Sequence, residues 1–257
     1  MSPVKALKTS DIARILDVHP NTVRYYETLG YLPPIRRADN GYRQYHLFHV
    51  EQAKLIRLTL KWPYAGDHDR LIELVKTAAK ADFGMAMELA YQHLAHLRVE
   101  RTYAEAALEF LERWVSGYLI DTTPQKMYTK QASDYLQVSV DRLRNWERNG
   151  LIDIPRDPVN GYRLYGAVEF GRLRVIRMLL QSGYSLMAIL RMFQQVEGGQ
   201  AQDLRQALEV PLEDSANEAI EVIADRWLSS LMKLEQDAHL IIQQLSRMIE
   251  LRLTSSL

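Results

Sequence analysis

The chain contains the same segment twice, and the second copy begins 120 positions after the first. Residues 9–64 align with residues 129–184 without a gap, and 16 of the 56 aligned pairs are identical. The identities concentrate in short strings, such as NGYRQY at 40–45 and NGYRLY at 160–165. Because a solenoid needs at least three repeats to stack, two copies predict a duplicated domain.

Each copy has the pattern of two short helices joined by a tight turn. In the first copy Thr9 is expected to be the N-cap of a short helix with an apolar stripe. Pro20 then suits the first turn of a second helix, because its missing N–H costs nothing there. That helix is expected to end at Gly30, and Gly150 takes the same place in the second copy. The pattern predicts a helix-turn-helix.

A β-hairpin is predicted directly after each helix-turn-helix. The Asn-Gly pairs at 40–41 and 160–161 are strong signals for a tight hairpin turn, and a hairpin in this place is a wing. A further helix is expected at 47–61, ended by Trp62-Pro63, and its counterpart at 167–181. The predicted fold class is therefore all-α with small β wings.

These residues carry a family resemblance. The strings NTVRYYETLGYLPP…NGYRQY (21–45) and LRNWERNGLIDIP…NGYRLY (143–165) resemble the winged helix-turn-helix of MerR-type bacterial transcription regulators. The string LLQSGYSLMAILRMF (179–193) is similar to the helix pair that follows the wing in that family. The resemblance implies that each second helix enters a major groove and each wing arginine binds a flanking phosphate. It also implies bending of promoter DNA, so that RNA polymerase engages both promoter elements.

The candidate DNA-binding residues lie on the second helix and the wing of each copy. A recognition helix presents side chains to base edges, and a guanidinium group grips a phosphate with two hydrogen bonds. The candidates are Thr22, Arg24, Tyr25, Arg36, Tyr42 and Arg43 in the first copy, and Arg142, Arg144, Asn145, Arg156, Tyr162 and Arg163 in the second. We expect Glu27 and Glu147 to brace the helix or wing through an ion pair and to touch no base.

The two copies are unlike at positions that face bases in this interpretation. Tyr25 aligns with Asn145, whose amide is able to pair with adenine, and Thr22 aligns with Arg142. Two unlike readers predict a double-stranded DNA site that is an imperfect inverted repeat.

Net charge is zero, but its distribution favours nucleic acid. Residues 1–61 carry +5 and residues 129–192 carry +4, whereas residues 62–128 carry −3 and residues 193–257 carry −6. Positive charge therefore lies on the two winged segments, as DNA binding requires.

Two long helices are predicted, at 81–115 and in the tail from 224 to 248, because apolar residues recur there every three or four positions. About 35 helical residues span roughly 50 Å, enough to hold two readers one DNA turn apart. By the resemblance, such helices pack antiparallel between two subunits. Here both helices are in one chain, so a single-chain pseudo-dimer is favoured over a homodimer, which would carry four DNA-binding domains. The regular apolar pattern of the tail keeps the homodimer open as an alternative.

The predicted domains follow chain order. They are a first winged helix-turn-helix domain at 1–80, a long linking helix at 81–128, a second winged domain at 129–197, and a linker with a C-terminal helix at 198–257.

Several function classes are disfavoured. The chain has no cysteine, no phosphate loop, no nucleophile elbow and no convincing acid–base pair, so an enzyme is not expected. No cofactor or metal is expected either; His93 and His96 share a helical face but are interpreted as solvated side chains. No apolar stretch suits a membrane, which predicts a cytoplasmic protein.

The leading hypothesis is a MerR-type transcription regulator. A DNA-organising or plasmid-maintenance protein with the same readers, and a protein that sequesters a small molecule, are the alternatives. Any small-molecule effector is expected near Trp62, Trp114 or Trp227, whose aromatic rings are able to bury a ligand.

Overall fold

The computed structural model describes residues 7–61, 67–117, 126–198, 204–209 and 226–255. Helices dominate these residues, and each strand among them is two residues long. The fold class is therefore all-α with small β wings, as the sequence predicted. The chain divides into two compact units, one formed by residues 1–98 with 232–257 and the other by residues 99–231.

The elements of the first copy are α1 (Thr9–Leu16), α2 (Pro20–Thr28), β1 (Arg36–Arg37), β2 (Arg43–Gln44), α3 (Leu47–Thr59) and α4 (His68–Ala79). The long helix α5 (Phe83–Val115) follows. The second copy contains β3 (Met127–Tyr128), α6 (Thr129–Leu136), α7 (Val140–Arg148), β4 (Leu164–Tyr165), α8 (Ala167–Gln181) and α9 (Leu186–Glu197). Two further helices are α10 (Leu204–Glu209) and α11 (Trp227–Ser255). The sequence-based domain boundaries stay a prediction.

Local chemistry explains where α2 and α7 begin and end. The Nδ1 atom of His19 accepts a hydrogen bond from the Asn21 amide at 3.2 Å, and Pro20 is the first residue of α2. In the second copy Ser139 Oγ accepts from the Arg142 amide, also at 3.2 Å. Gly30 and Gly150 follow these helices with φ of 72° and 75°, a conformation that only glycine adopts without strain. The expected helix ends are thus confirmed.

The predicted N-cap of α1 was wrong by one residue. Thr9 is the first helical residue, and the Lys8 amide before it donates to Asp11 Oδ2 at 2.9 Å. The acidic side chain of Asp11, inside the first turn, therefore binds the backbone amide of the residue that precedes the helix.

Both wings are antiparallel hairpins, and their registers differ by one residue, because Arg156 is the counterpart of Arg36 and not of Arg37. Arg37 pairs with Arg43 in the first wing, and Arg156 forms a bridge with Arg163 in the second. Each returning strand also pairs with the residues just before its copy's first helix, Leu7 with Tyr45 and Met127 with Tyr165. Each wing is therefore paired through its backbone with the residues that precede its own helix-turn-helix.

In the first unit, the end of α11 contributes to the core. Ile241, Leu245 and Met248 join a buried cluster with Leu55 of α3 and Leu74 of α4. Fully burying a side chain of this size stabilises the fold by about 1.5–3 kcal/mol. The last helix of the chain is thus part of the unit that contains the first copy.

A polar contact reinforces this packing. Glu51 of α3 is 1% exposed and accepts a hydrogen bond from Gln244 Nε2 of α11 at 2.7 Å. Near the end of α11, Arg252 donates to the Ala81 carbonyl at 3.3 Å, directly before α5 begins. Within this unit the end of α11 lies at the start of α5, as an antiparallel pair requires.

In the second unit, two of the three tryptophans proposed to line an effector site are packed against glycine. Trp114 lies on Gly171 and forms an edge contact with the Phe193 ring at 6.2 Å. A Cβ atom added to Gly183 would stand 2.4 Å from the Trp227 indole, so no larger residue fits there without a shift. Trp62 lies outside the described residues.

The apolar seam of α11 is covered within the chain. Its described members are all buried: Trp227, Leu231, Leu234, Ala238, Ile241, Leu245 and Met248. Among the described residues, no helix has both the length and the apolar character needed to cross a bilayer.

His93 was wrongly expected to be solvated. It is buried in the first unit, and its Nδ1 atom lies 2.5 Å from Asp67 Oδ2. Arg70 donates to the other oxygen of the same carboxylate. In the described part of the chain, no cluster of His, Asp or Glu has the arrangement of a metal site.

Candidate nucleic-acid interface

The outer face of α2 carries the first set of predicted contacts. Arg24 and Tyr25 are exposed, Tyr25 by 60%, while Thr22 is half-buried. The Arg24 guanidinium donates to Asn21 Oδ1 at 2.7 Å, which holds it along the start of the helix. The opposite face packs inward through the fully buried Val23. The helix therefore presents a cationic and aromatic surface to solvent.

The outer face of α7 is more cationic. Arg142 and Arg144 are exposed, and Trp146 on the inner face is buried. Asn145 is half-buried, and its side-chain oxygen accepts a hydrogen bond from Asn149 Nδ2 at 3.2 Å. This intrahelical contact uses one of the two acceptor sites of the Asn145 side-chain oxygen.

The same ion pair joins the recognition helix to the wing in both copies. Arg43 Nε lies 2.6 Å from Glu27 Oε2, and Arg163 Nε lies 2.5 Å from Glu147 Oε2. All four side chains are between 15% and 26% exposed, so the pairs are only partly screened by water. The expected brace by Glu27 and Glu147 is confirmed. It fixes each wing arginine next to its recognition helix.

The first wing presents aromatic and cationic groups at its tip. Tyr42 is 74% exposed, and Arg36 and Arg37 lie exposed on the opposite strand. Arg37 makes a long contact of 3.5 Å with the Gly41 carbonyl across the turn.

The second wing has more side-chain contacts than the first among those described. Arg156 lies 3.4 Å from Glu147, so this one carboxylate holds two arginines. The Tyr128 hydroxyl donates to Asp157 Oδ2 at 2.6 Å, and this hydrogen bond holds the pKa of Asp157 below its usual range. Tyr162 packs edge-on to the Tyr128 ring at 6.2 Å and is still 67% exposed. The two wings therefore differ in their side-chain contacts as well as in sequence.

A groove of about 560 Å³ lies between α1, α2 and the wing of the first copy. Lys8, Arg24 and Arg43 contribute three cationic side chains to its lining. Lys8 was missed in the sequence analysis; its position just before α1, beside the strand that returns from the wing, was the available signal. A cationic groove of this kind suits a phosphate backbone.

Comparison with known families supports the duplication. A model described as "MerR family regulatory protein" matches residues 8–45, and a model described as "MerR HTH family regulatory protein" matches residues 127–196. Both copies are MerR-family domains. The chain thus carries the MerR-type domain twice.

Curated relatives match one stretch of the chain. The HTH-type transcriptional regulators CueR of Escherichia coli O6:H1 (strain CFT073) and Escherichia coli O157:H7 are each 35% identical to the chain over 51 residues. That stretch is 20% of this chain and 38% of each relative, so the chain spans less than half the length of either relative. No solved structure matches the chain significantly.

The two MerR-family domains place their predicted contact residues in equivalent positions. In each domain the recognition helix exposes arginine, the wing tip exposes tyrosine, and a Glu–Arg pair connects the two. Contact of these side chains with DNA remains a prediction.

Proposed function

We propose that the protein is a transcription regulator that binds double-stranded promoter DNA through both MerR-family domains. The observation that carries the proposal is the Glu–Arg pair found in both copies, Glu27 with Arg43 and Glu147 with Arg163. A wing that is bonded to its recognition helix forms one preorganised surface, which loses less side-chain entropy on binding than two separate elements would.

The recognition helices supply base contacts in this proposal. Arg24 and Tyr25 on α2, and Arg142 and Arg144 on α7, project from exposed faces whose opposite sides are buried. Arginine pairs with guanine in the major groove through two hydrogen bonds, each such pair discriminating by about 1–3 kcal/mol. Helix α7, on which both Arg142 and Arg144 are candidates for base contact, is therefore expected to prefer a more guanine-rich half-site.

The wings supply backbone contacts. Glu27 and Glu147 bond the Nε atoms of Arg43 and Arg163, and a guanidinium group has two further nitrogens for a phosphate. Exposed Tyr42 and Tyr162 beside them offer hydroxyl donors. These contacts fix register and carry no sequence information.

One chain is proposed to occupy one operator. Helix α5 is 33 residues long, which corresponds to about 50 Å, so one chain has a spacer of the length that two readers on neighbouring turns of DNA require. The seam of α11 is buried within the chain, which leaves its apolar face unavailable for pairing with a second copy. Such a protein would act in the cytoplasm, together with RNA polymerase at the promoter.

The test is a footprinting experiment, in which the protein protects bound DNA from cleavage, on the region upstream of its own gene. Transcription in vitro with bacterial RNA polymerase follows. We expect protection of two unlike half-sites and a change in transcript level. Absence of protection at any inverted repeat there would count against a regulator of its own promoter. Protection without any change in transcription would favour the DNA-organising alternative.

A further inference from the structure

A second cavity lies in the first unit, on the side of the wing base. It has a volume of about 870 Å³, within the range of small-molecule sites. Its walls come from the segment after α2, the start of α3, the end of α4 and the end of α11. The apolar part of the lining includes Leu32, Pro34, Ile35, Leu47, Phe48 and Leu251.

The apolar wall is suited to a ring-shaped body. The Phe48 ring is held edge-on to Phe83 at 5.9 Å, so its position is defined by packing. Pro34, which is exposed, adds a second rigid ring, and Leu47 is 53% exposed although it is apolar. A ligand that covers apolar surface in a concave site removes this surface from water, and this burial stabilises the complex.

The polar part of the lining is cationic. Lys80 and Arg252 contribute two positive charges, and Glu27 is the one acidic side chain of the lining. Glu27 is already paired with Arg43 at 2.6 Å, so its charge is largely compensated by a residue outside the cavity. The lining therefore carries more positive than negative side chains, and an anionic group complements it.

The turn that carries Lys80 is defined by hydrogen bonds. Lys80 follows the last residue of α4, and the chain turns at Ala81 with φ of 62°. The Asp82 amide closes this turn by donating to the Thr77 carbonyl at 3.2 Å. Arg252 donates to the Ala81 carbonyl, so the end of α11 is bonded to the same turn.

We infer that this cavity binds a small amphipathic anion, with a ring-containing apolar body against Phe48 and Pro34 and one acidic group at Lys80 and Arg252. The site differs from the positions near Trp62, Trp114 and Trp227 that the sequence suggested. Binding here does not require the chain to bind DNA, so the cavity and the proposed function are tested separately.

The test uses anilinonaphthalene sulfonate as an anionic probe and phenylnaphthylamine as its neutral analogue, titrated by fluorescence against the full chain. We expect saturable binding of one anionic probe molecule per chain, at least about tenfold tighter than the neutral probe because of the charge-assisted contact. Equal affinity for the two probes would overturn the assigned anionic class.

Variants locate the probe. Lys80→Glu should weaken the anionic probe about tenfold and leave the neutral probe unchanged, since only the former meets the reversed charge. Lys76→Glu, in the last turn of α4 just before Lys80 and outside the lining, is the matched control and should bind as wild type does. Leu251→Trp fills the cavity near the chain end and should abolish binding of both probes, with circular dichroism showing that the helices are retained. Unchanged binding in Lys80→Glu or in Leu251→Trp would overturn the site.

Discussion

The wing arginines allow a quantitative comparison of the two copies. In Arg43→Ala, Glu27 loses its partner, and no other ion pair of Glu27 occurs among the described residues. In Arg163→Ala, Glu147 keeps Arg156 at 3.4 Å. Because the pairs are partly buried, we expect the free energy of unfolding to fall by about 2 kcal/mol in Arg43→Ala and by about 1 kcal/mol in Arg163→Ala. Urea unfolding followed by circular dichroism measures both.

The DNA effect should be alike in the two variants. Each removes one phosphate contact, which lowers the slope of log affinity against log salt by about 0.9. When salt is raised about fourfold, the advantage of the wild type over either variant should therefore shrink about 3.5-fold. Fluorescence anisotropy with a mixed-sequence duplex is sufficient, because phosphate contacts carry no sequence information.

Arg113→Ala is the charge-matched control. Arg113 is exposed on α5, outside both reading surfaces, and its removal should leave the salt slope unchanged. If Arg163→Ala bound DNA with the wild-type slope, the second wing would not touch phosphate. If only Arg163→Ala and not Arg43→Ala behaved in this way, the second copy would be a structural relic of the duplication.

Three further predictions concern specificity, stoichiometry and pH. Arg144→Ala should relax base preference in one half-site of the selected sequences and leave the other unchanged; relaxation in both halves would contradict two separate readers. The molar mass of a minimal operator complex, measured by light scattering, should correspond to one chain of 29.8 kDa per duplex. A mass that corresponds to two chains would contradict the single-chain model. Burial opposes ionisation of Asp67, but the hydrogen bonds and charges of His93 and Arg70 outweigh it and lower its pKa. The stability from Asp67 is thus fully present above its ordinary pKa, and it is lost as pH falls from about pH 4 through the lowered pKa. Asp67→Asn should flatten that dependence in urea unfolding, and an unchanged pH profile would refute it.

Local signals made much of the fold predictable. Pro20, Gly30 and the Asn-Gly turns restrict φ and ψ within a few residues, so the ends of α2 and the wing turns follow from sequence. The exposed faces of α2 and α7 were also predictable, because apolar residues alternate with polar ones at helical spacing. Most of the proposed interface therefore rests on information contained in each copy alone.

The side-chain hydrogen bonds and ion pairs within the proposed interface were not predictable. Arg156 shares Glu147 with Arg163, and Asn145 is bonded to Asn149, although both were proposed only as DNA contacts. Such hydrogen bonds depend on distances of a few tenths of an ångström between side chains, which residue types and spacing do not specify.

The sequence by itself determined the duplication, the two helix-turn-helix units, the wings and the long helices, because each depends on neighbours in the chain. Only the tertiary structure decided what the last helix packs on. The seam of α11 would suit a second chain equally well, since apolar packing is not directional. Gln244 bonds Glu51 across 193 positions, and Ile241 enters the core of the first unit. Contacts so distant in sequence leave no local pattern, and the cavity beside Lys80 exists only because they form.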